Sequence, residues 1–430
     1  MRIVQKYGGT SVADIARLEN VALRIKRDVD AGHQIAVVVS AMAGVTNQLV
    51  AYTKSFSNIQ KSPEHDTVVS AGEQITTGLL ALALQQLGLS SRSFMGWQVP
   101  IKTSDDYTNA HVLTVDSEQF EACFEKGIIP VIAGFQGITS QGRIATLGRG
   151  GSDTTAVAVA AAIKADRCDI YTDVDGVYTA DPRVVSKAQK LNQISYSEML
   201  ELAAQGAKVL HSRSVETAMR HLVYVRVLSS FNDQPGTDIK DISATNMARI
   251  SGITHTVGWV MIQLETDNFN ILMIRSLENT IKNANILIDS FSVNEESGIT
   301  FIRFIVQKAD FAKTIQSFEK NDYHSEYKGL HIEPDFAKIS IIGLGFLGKS
   351  GITQRFLEVI KQINISSCLT HFSTTRLSFS VKEEHAEAII QIFHTAFELD
   401  QKNESDTTET MAARLRSSCL RLANVERCRC

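Results

Sequence analysis

The first 235 residues alternate short apolar runs with amphipathic stretches, and this alternation predicts an α/β domain. Continuous apolar runs lie at 35–42, 128–135 and 168–174, as expected of strands that are buried on both faces of a parallel sheet. Ahead of the first run, apolar residues recur at helical spacing at Ile15, Leu18, Ala22, Ile25 and Val29. Gly32 is placed to end that helix.

Hydroxyl residues mark the start of two further helices. Ser195 and Glu198 form an S-x-x-E capping box, in which each side chain accepts a hydrogen bond from the other residue's backbone N–H. Ser117 is placed to cap a helix that ends before Gly127.

From about residue 250 the pattern changes and then repeats itself. A strand, a helix, a strand and a helix are predicted around 259–264, 280–288, 301–306 and 308–318. The same order returns about 75 to 80 positions later, around 338–343, 359–367, 376–381 and 382–393. The repetition predicts two βαββαβ units, each burying one sheet face under two helices and pairing side by side.

Turn and linker signals divide the chain. Pro235-Gly236 and the polar stretch to Met247 separate the two halves. The predicted organisation is an N-terminal domain at 1–240, two repeats at 250–330 and 331–400, and a tail at 401–430. The tail is polar and then arginine-rich, so we expect it to be a disordered extension that is unrelated to the function.

Composition narrows the class of protein. The 430 residues are too many for one ordinary core, and 44% hydrophobic with 21% charged residues is the balance of a soluble globular protein. A net charge of −4 gives no sign of a nucleic-acid surface. The N-terminus has no signal-peptide pattern, and no apolar run approaches the ~18 residues of a membrane helix. Six cysteines form no disulfide framework, which favours the cytoplasm.

The first motif with chemical content is KYGGTS, at Lys6–Ser11. Gly8 and Gly9 let backbone N–H groups turn toward an anion, and Lys6 adds a positive charge. A tight strand-to-helix turn with a solvated lysine explains this motif equally well. It is not a Walker A sequence, which requires G-x-x-x-x-G-K-[ST].

The second motif, TLGRGGSDTT at 146–155, precedes an Ala/Val-rich helix. Three glycines free the backbone, and Ser152 or Asp153 can cap the helix. Arg149 lies inside the glycine run and carries the planar donor group that best matches a carboxylate. A purely structural turn explains the glycines and the cap, but it does not explain the arginine.

The third motif, YTDVDGVYTADPR at 171–183, follows a predicted buried strand. Open α/β sheets bind ligands at the carboxyl ends of their strands, so Asp173, Tyr178 and Arg183 are candidates to meet a base, ribose or phosphate. Farther on, GAKVLHSRSVE places Lys208 near a loop, where it could equally be a solvated charge.

Together these motifs resemble the aspartokinases of the amino-acid-kinase superfamily, and their order and spacing match from residue 1 to about 400. The resemblance also rests on the segments SAM (40–42), AGEQI (71–75) and AGFQG (133–137). It implies a three-layer α/β sandwich followed by two ACT-type regulatory repeats. The implied reaction is ATP-dependent phosphorylation of the β-carboxylate of L-aspartate to 4-phospho-L-aspartate, the first step of lysine, threonine and methionine biosynthesis.

The resemblance also implies roles for single residues. The transferring phosphates would be bound by Lys6, Gly8, Gly9 and Lys208, with Asp153 orienting the lysines. The nucleotide would be held by Thr172, Asp173, Tyr178 and Arg183. Aspartate would be bound by Ser40, Thr46, Glu73, Arg149, Gly150, Gly151 and Ser152. Among these, Arg149 would take the α-carboxylate, Glu73 the α-ammonium, and Ser40 with Thr46 the β-carboxylate region.

The chemistry of such a reaction agrees with the residues that are present. A carboxylate nucleophile is already ionised at pH 7, so no general base is needed. Phosphoryl transfer then depends on alignment, charge and Mg²⁺ held through the ATP phosphates, without a covalent enzyme intermediate. One departure weakens the match. Family members often carry T-D-E near Thr46, where this chain has Thr46-Asn47-Gln48.

Three other interpretations fit parts of the sequence. GLGFLG at 343–348 matches a dinucleotide-binding pattern, but the acidic residue expected about 20 positions later is missing, so we interpret it as a strand-helix turn of a regulatory repeat. Another carboxylate kinase of the superfamily would not be expected to carry a duplicated C-terminal unit. A non-catalytic amino-acid sensor would not be expected to keep Lys6, Arg149, Asp153 and Lys208.

The resemblance finally implies regulation. ACT repeats of this layout pair across subunits, so we expect a homo-oligomer with an amino-acid effector at the joins. In the second repeat HFSTTRLSFS (371–380) lacks the family's acidic residue, and Ser350-Gly351 replaces Pro-Gly. An effector ammonium left unpaired would cost several kcal/mol, although backbone carbonyls could replace the carboxylate. We therefore expect weakened or altered feedback.

Overall fold

The computed structural model describes residues 1–56, 61–242, 249–267, 269–320, 327–346, 351–363 and 370–401. The predicted disordered tail beyond 401 and Ser350 of the altered turn lie outside the described residues. Backbone contacts divide the chain into two units. The first contains Met1–Val177, Lys190–Ala204 and Lys208–Ser243, and the second contains Tyr178–Gln189, Gln205–Ala207 and the described residues from 249 onward.

The first unit is built on one large and one small sheet. Its strands are β1 (Arg2–Tyr7), β2 (Gln34–Val39), β3 (Ser91–Phe94), β4 (Ile101–Thr103), β5 (Val112–Val115), β6 (Ile129–Ala133), β7 (Gln136–Ile138), β8 (Ile144–Thr146), β9 (Arg167–Thr172), β10 (Gln193–Ser195), β11 (Val225–Ser229) and β12 (Thr237–Lys240). The eight-stranded sheet has the order β10-β12-β11-β9-β1-β2-β6-β3, and the four-stranded sheet has the order β5-β4-β7-β8. In the large sheet, β3, β6, β2, β1, β9 and β11 run parallel.

Helices cover both faces of the large sheet. They are α1 (Ile15–Asp30), α2 (Val45–Phe56), α3 (Pro63–Val69), α4 (Ala71–Gln86), α5 (Glu118–Glu125), α6 (Gly151–Ala162), α7 (Tyr196–Ala204) and α8 (Ser212–His221). The apolar faces of α1 and α4 form one core with alternate residues of β1, β2 and β6. The alanine- and valine-rich α6 packs against β1, β2, β9 and α8, where its small side chains allow close approach. The predicted α/β sandwich is confirmed.

The three strands predicted from apolar runs are present but shorter than predicted. The structure ends them at Val39, Ala133 and Thr172, several residues before the runs themselves end at 42, 135 and 174. The residues between form loops at the carboxyl edge of the sheet. An apolar run therefore located each strand but did not mark where the strand leaves the sheet.

The helix boundaries test the predicted caps. Helix α1 ends at Asp30 and Gly32 follows with φ +82°, as its placement predicted. The capping box is confirmed, since the Ser195 N–H donates to Glu198 Oε2 at 3.1 Å and the Glu198 N–H donates to Ser195 Oγ at 3.3 Å. The prediction for Ser117 is wrong. Ser117 does occupy the N-cap position of α5, but its side chain makes no cap hydrogen bond, and the Glu118 N–H donates instead to Asp116 Oδ1 at 2.9 Å.

The second unit contains one six-stranded antiparallel sheet. Its strands are β13 (Arg249–Thr266), β14 (Ile288–Glu296), β15 (Ile299–Gln307), β16 (Gly329–Leu344), β17 (Thr370–Phe372) and β18 (Arg376–Lys382), in the order β14-β15-β13-β16-β18-β17. Helices α9 (Ile271–Asn283) and α10 (Lys308–Lys320) belong to the first repeat, and α11 (Ile352–Ile363) and α12 (Ala386–Ala396) to the second. Side-by-side pairing of the repeats is confirmed, because β13 and β16 pair over nearly their whole lengths.

Each repeat buries its own core. In the first, α9 and residues of α10 pack on Val260, Ile262, Ile302 and Phe304. In the second, α11 and α12 pack on β16 and β18, with Phe356, Phe379 and Phe393 in mutual ring contact. Gly343, the first glycine of GLGFLG, lies inside β16, where an added Cβ would stand 2.0 Å from the Arg249 carbonyl oxygen. Gly343 therefore allows the close pairing of β16 with β13.

The domain limits at 240, 330 and 400 stay predictions.

One stretch, Pro63–Gln86, is long and apolar enough to span a membrane by length and composition alone. The sequence reasoning did not single out this stretch, because polar residues interrupt its apolar run. Half of the stretch is buried within the protein, and Glu73, Thr76 and Thr77 are among its buried residues. These features are typical of a core helix.

Candidate active site

Lys6, Ser40 and Thr172 lie at or directly after the carboxyl ends of parallel strands of the large sheet. Because β1, β2, β6 and β9 are parallel, their carboxyl ends meet at one edge of that sheet. The Gly8 N–H donates to the Tyr171 carbonyl at 3.2 Å, the Ser40 N–H to the Tyr7 carbonyl at 3.0 Å, and the Gly134 N–H to the Val39 carbonyl at 3.0 Å. These bonds continue the sheet's pairing into the loops and bring the first and third motifs beside the loops that follow β2 and β6.

An ion pair joins the first motif to the second. Lys6 Nζ on β1 lies 2.6 Å from Asp153 Oδ1 in the first turn of α6, and the two side chains are 9% and 13% exposed. A carboxylate is favourable at a helix N-terminus, so Asp153 is stabilised both by the dipole of α6 and by the ammonium of Lys6. It holds a cation, little exposed to water, at the edge where the loops meet.

The paired glycines of the first motif permit a close approach of two loops. An added Cβ at Gly9 would stand 2.9 Å from the Ala41 carbonyl oxygen, so any other residue would push the loop after β1 away from the loop after β2. A 3₁₀ turn, Gly9–Val12, leads from there toward α1.

A buried carboxylate supports the loop after β2. Glu73, in the first turn of α4, is 3% exposed, and its Oε1 accepts a hydrogen bond from the Ala41 N–H at 3.0 Å. Its other oxygen, Oε2, has no hydrogen-bond partner among the described residues. Burial raises the pKa of Glu73 to about 7, and the Ala41 hydrogen bond opposes that shift. A buried carboxylate with one open oxygen can accept a cationic ligand.

The second motif forms a tight turn ahead of α6. Gly148 and Gly150 have φ +74° and +68°, and Gly150 is the N-cap. The predicted cap by Ser152 or Asp153 is therefore wrong, since helical geometry begins before either residue. Arg149 between the glycines is exposed and makes no hydrogen bond or ion pair within the described part of the chain.

Ser152 lies where the second motif meets the loop after β6. An added Cβ at Gly134 would stand 2.7 Å from Ser152 Oγ, which places that hydroxyl against the backbone after β6. Thr46, in contrast, is half-buried in the first turn of α2, and the neighbouring Asn47 and Gln48 are exposed. No described contact joins Thr46 to the Lys6–Asp153 pair.

The predicted nucleotide residues divide between the two units. Thr172 ends β9, and its hydroxyl donates to the exposed Asp173 at 3.1 Å in the first unit. Tyr178 and Arg183 belong to the second unit. The Arg183 guanidinium is paired there with the Asp181 carboxylate, through Nη2 at 2.7 Å and Nε at 3.0 Å.

The segment around Lys208 contains supporting residues that the sequence reasoning did not single out. Lys208 itself is exposed. His211 packs its side chain against Gly150, and burial lowers the pKa of His211. Arg213 Nη1 donates to the Leu147 carbonyl at 3.2 Å. Both residues lie in GAKVLHSRSVE, so the signal was present in the quoted segment.

Asp66 is another supporting residue that was missed. It is fully buried, and its Oδ2 accepts hydrogen bonds from the Thr146 N–H at 2.7 Å and the Thr108 N–H at 2.9 Å. Asp66 thereby fixes the strand end from which the glycine run departs. No pattern in the sequence near Asp66 marks it.

A metal ion bound with the nucleotide fits these residues. Among the described residues, no three or more His, Cys, Asp or Glu side chains cluster into a dedicated metal site. Mg²⁺ in phosphoryl-transfer enzymes needs at most one or two protein carboxylates and takes its other oxygens from phosphates and water. An edge with Asp153, Asp173 and basic side chains suits a metal held in that way.

Glycine turns, a Lys–Asp pair and basic side chains at the carboxyl edge of a parallel sheet are the features expected of the amino acid kinase class. The model of the amino acid kinase family matches residues 1–229. The aspartate kinase Ask_LysC of Stutzerimonas stutzeri is 40% identical over 401 residues, which cover 93% of this chain and 97% of that protein. The chain belongs to the aspartokinases.

Solved structures agree across both units. Aspartokinase III of E. coli in complex with aspartate and ADP, in the R-state, is similar with a TM-score of 0.75 and 25% identity, covering 92% of this chain and 99% of that one. The same enzyme in complex with lysine and aspartate, in the T-state, gives a TM-score of 0.72 and 26% identity over 92% of this chain and 99% of that one. The predicted combination of a kinase domain and C-terminal regulatory repeats is confirmed.

Proposed function

We propose that the protein transfers the γ-phosphoryl group of ATP to the β-carboxylate of L-aspartate and releases ADP and 4-phospho-L-aspartate. The observation that carries this proposal is the Lys6–Asp153 pair, held at the meeting point of two glycine turns. A phosphoryl group placed there would meet a fixed ammonium and backbone N–H groups, which neutralise charge as the group transfers.

The substrate roles follow from what each side chain offers. The exposed guanidinium of Arg149 would bind the α-carboxylate of aspartate as a planar two-donor group. The open Oε2 of Glu73 would accept from the α-ammonium. Ser40 and Thr46 would border the β-carboxylate, with Gly150, Gly151 and Ser152 lining the same pocket. The β-carboxylate is ionised at pH 7 and attacks phosphorus directly, so the enzyme needs no proton acceptor.

The nucleotide would be bound by Thr172, Asp173, Tyr178 and Arg183, with Lys208 as a second cation beside Lys6. Mg²⁺ would arrive with ATP and supply neutralising charge on the phosphate oxygens. Charge neutralisation by protein and metal together suits a transfer that passes through no covalent enzyme intermediate.

A direct assay tests the substrate. ADP release is measured with purified protein, MgATP and one acceptor at a time: L-aspartate, L-glutamate, N-acetyl-L-glutamate or UMP. We expect turnover with aspartate that exceeds turnover with the other acceptors by orders of magnitude, and trapping with hydroxylamine to give aspartyl hydroxamate. Preferred turnover with any other acceptor, or none with aspartate, would overturn the proposal.

We also place the enzyme in the cytoplasm, as a homo-oligomer that pairs through its C-terminal repeats and has an amino-acid effector. The aspartokinase III structure in complex with lysine supports an effector of this chemistry. Size-exclusion chromatography with light scattering tests the assembly, and a monomer at micromolar concentration would contradict it.

A further inference from the structure

The segment Tyr178–Gln189 carries two of the proposed nucleotide ligands, yet its contacts lie in the second unit. The residues on either side of the segment lie next to each other in the first unit, since the Leu191 N–H donates to the Val177 carbonyl at 2.8 Å. The segment between them is held by contacts with the regulatory repeats.

Thr179 is the most firmly held residue of that segment. It is 3% exposed. Its N–H donates to the Gln189 carbonyl at 2.9 Å, and its carbonyl accepts from the Ile253 N–H of β13 at 2.7 Å. Its Oγ1 accepts from the Gln189 N–H at 2.9 Å and lies 2.9 Å from Nε2 of His394 on α12. Thr179 thus joins both ends of the segment to β13 and α12.

The Thr179–His394 hydrogen bond leaves the threonine hydroxyl fully used. Thr179 Oγ1 accepts from the Gln189 N–H and keeps its own proton and one lone pair, so it can pair with either neutral tautomer of His394. Burial lowers the pKa of His394, with Asp400 acting in the opposite direction, and this favours the neutral form. The ring is 1% exposed, so water does not compete for the bond.

Apolar residues farther along the segment also pack against the second repeat. Ala180 and Val185 are part of the second repeat's core, together with Phe393 beside His394. Gln391 Nε2, on the same helix, donates to the Val184 carbonyl at 2.9 Å. Thr179, which follows Tyr178, and Val184, which follows Arg183, are therefore both held by the second repeat.

We propose that His394 is a positioning residue for nucleotide binding: through Thr179 it holds the segment that presents Tyr178 and Arg183, and so sets the affinity for ATP without touching ATP. This inference rests on the proposed nucleotide-binding role of that segment. It assigns His394 to nucleotide affinity and not to aspartate affinity.

Four variants of the full-length protein test this inference. His394→Leu and Thr179→Val remove one partner each, while His394→Gln and Thr179→Ser keep an acceptor and a hydroxyl. We expect the first two to raise the KM for ATP about three- to tenfold, the range expected for one hydrogen bond. The KM for aspartate and kcat should stay within about twofold, and the two conservative variants should regain most of the ATP affinity.

Two controls separate positioning from a general loss of packing. Thr314→Val removes another buried hydroxyl of the second unit, which donates to the Asp310 carbonyl at 2.9 Å in α10, and it should leave the KM for ATP unchanged. The double variant Thr179→Val/His394→Leu should be no worse than Thr179→Val alone, because Thr179→Val already removes the bond to His394 together with the bond from the Gln189 N–H. Additive effects would overturn the inference.

Equilibrium binding of MgADP, measured by calorimetry on variants with native circular dichroism, does not depend on turnover. Weaker MgADP binding in His394→Leu, restored in His394→Gln, supports the inference even if the acceptor were not aspartate. Unchanged MgADP binding in folded His394→Leu and Thr179→Val overturns it, whatever the enzyme phosphorylates.

Discussion

The ammonium of Lys6 on β1 lies 2.6 Å from the carboxylate of Asp153 on α6, although the two residues are 147 positions apart in sequence. Ion pairs that are largely removed from water are weak contributors to stability, because desolvation offsets much of the attraction. A pair kept at the meeting point of two glycine turns is therefore better explained by a role in binding charge. Its two members are also the most direct targets for mutation.

Replacing Lys6 by Met, which keeps the length and removes the charge, should lower kcat by about 10²- to 10³-fold, as loss of a group that stabilises transition-state charge does. The KM for aspartate should change little. Asp153→Asn should have an effect of similar kind. Lys26→Met is the matched control, since Lys26 is a helix-surface lysine paired with Asp30 at 3.1 Å. Near-normal kcat at saturating ATP in Lys6→Met would remove Lys6 from catalysis.

Arg149→Lys should not be conservative. A lysine keeps the charge but not the two parallel donors that match a carboxylate. We expect kcat/KM for aspartate to fall by the equivalent of about 1.5–3 kcal/mol, with the KM for ATP nearly unchanged. Steady-state kinetics with each substrate varied in turn measure the difference. If ATP kinetics collapsed while aspartate kinetics did not, Arg149 would belong to the nucleotide.

The raised pKa of Glu73 predicts a pH dependence. In the substrate-free enzyme the carboxyl has a pKa of about 7, so it is neutral below that pH and charged above it. Only the charged form can pair with the α-ammonium of aspartate. The value of kcat/KM for aspartate should therefore fall about tenfold per unit as pH drops below about 6.5. Glu73→Gln should have low kcat/KM without this step, and a step that survives in Glu73→Gln would assign it to another group.

Gly150 should tolerate no side chain. Its φ is +68°, and an added Cβ would stand 2.2 Å from the Cβ of His211. Gly142 has a similar φ of +73° with open space around it, so Gly142→Ala measures the backbone strain alone, about 1 kcal/mol. Gly150→Ala should destabilise the protein by at least twice as much and reduce activity sharply. Equal melting temperatures for the two variants would contradict this.

Feedback by lysine should be weak. Asp289 of β14 is a half-buried carboxylate that is already paired with Lys338 of β16, and Lys338 lies over the ring of Trp259. If an effector ammonium were to pair with Asp289, it would have to displace Lys338, and β18 offers no acidic residue of its own. Inhibition curves with each amino acid of the aspartate pathway test this. Strong inhibition by submillimolar lysine, lost when the chain is cut after about Asp241, would show it wrong.

Local patterns predicted much of the fold. Helical spacing with Gly32 located α1, and the S-x-x-E pattern at Ser195 located α7, because the interactions that define these features span a few residues. Apolar runs found the central strands but overran their ends, since the end of a strand is decided by neighbouring strands. The cap at Ser117 failed for a local reason: Asp116, one position earlier, takes the hydrogen bond instead.

The candidate site residues could be predicted where glycines and charged residues are adjacent in the sequence, as in KYGGTS and TLGRGGSDTT. Asp66 could not be found, because its partners at Thr108 and Thr146 are distant in sequence. The placement of Tyr178–Gln189 with the regulatory repeats was equally hidden, since it depends on Thr179 meeting His394, 215 positions later. The roles assigned to single residues remain predictions that the variants above test.

The pairing of β13 with β16 joins the two repeats into one sheet. Each strand contributes side chains to the cores of both repeats, and their pairing extends from Arg249 with Leu344 to Glu265 with Gly329. A chain cut ahead of β16 would leave one side of β13 without a partner along its 18 residues, and exposed strand edges of that length favour aggregation. We therefore expect the tandem repeats to unfold together, in a single cooperative transition.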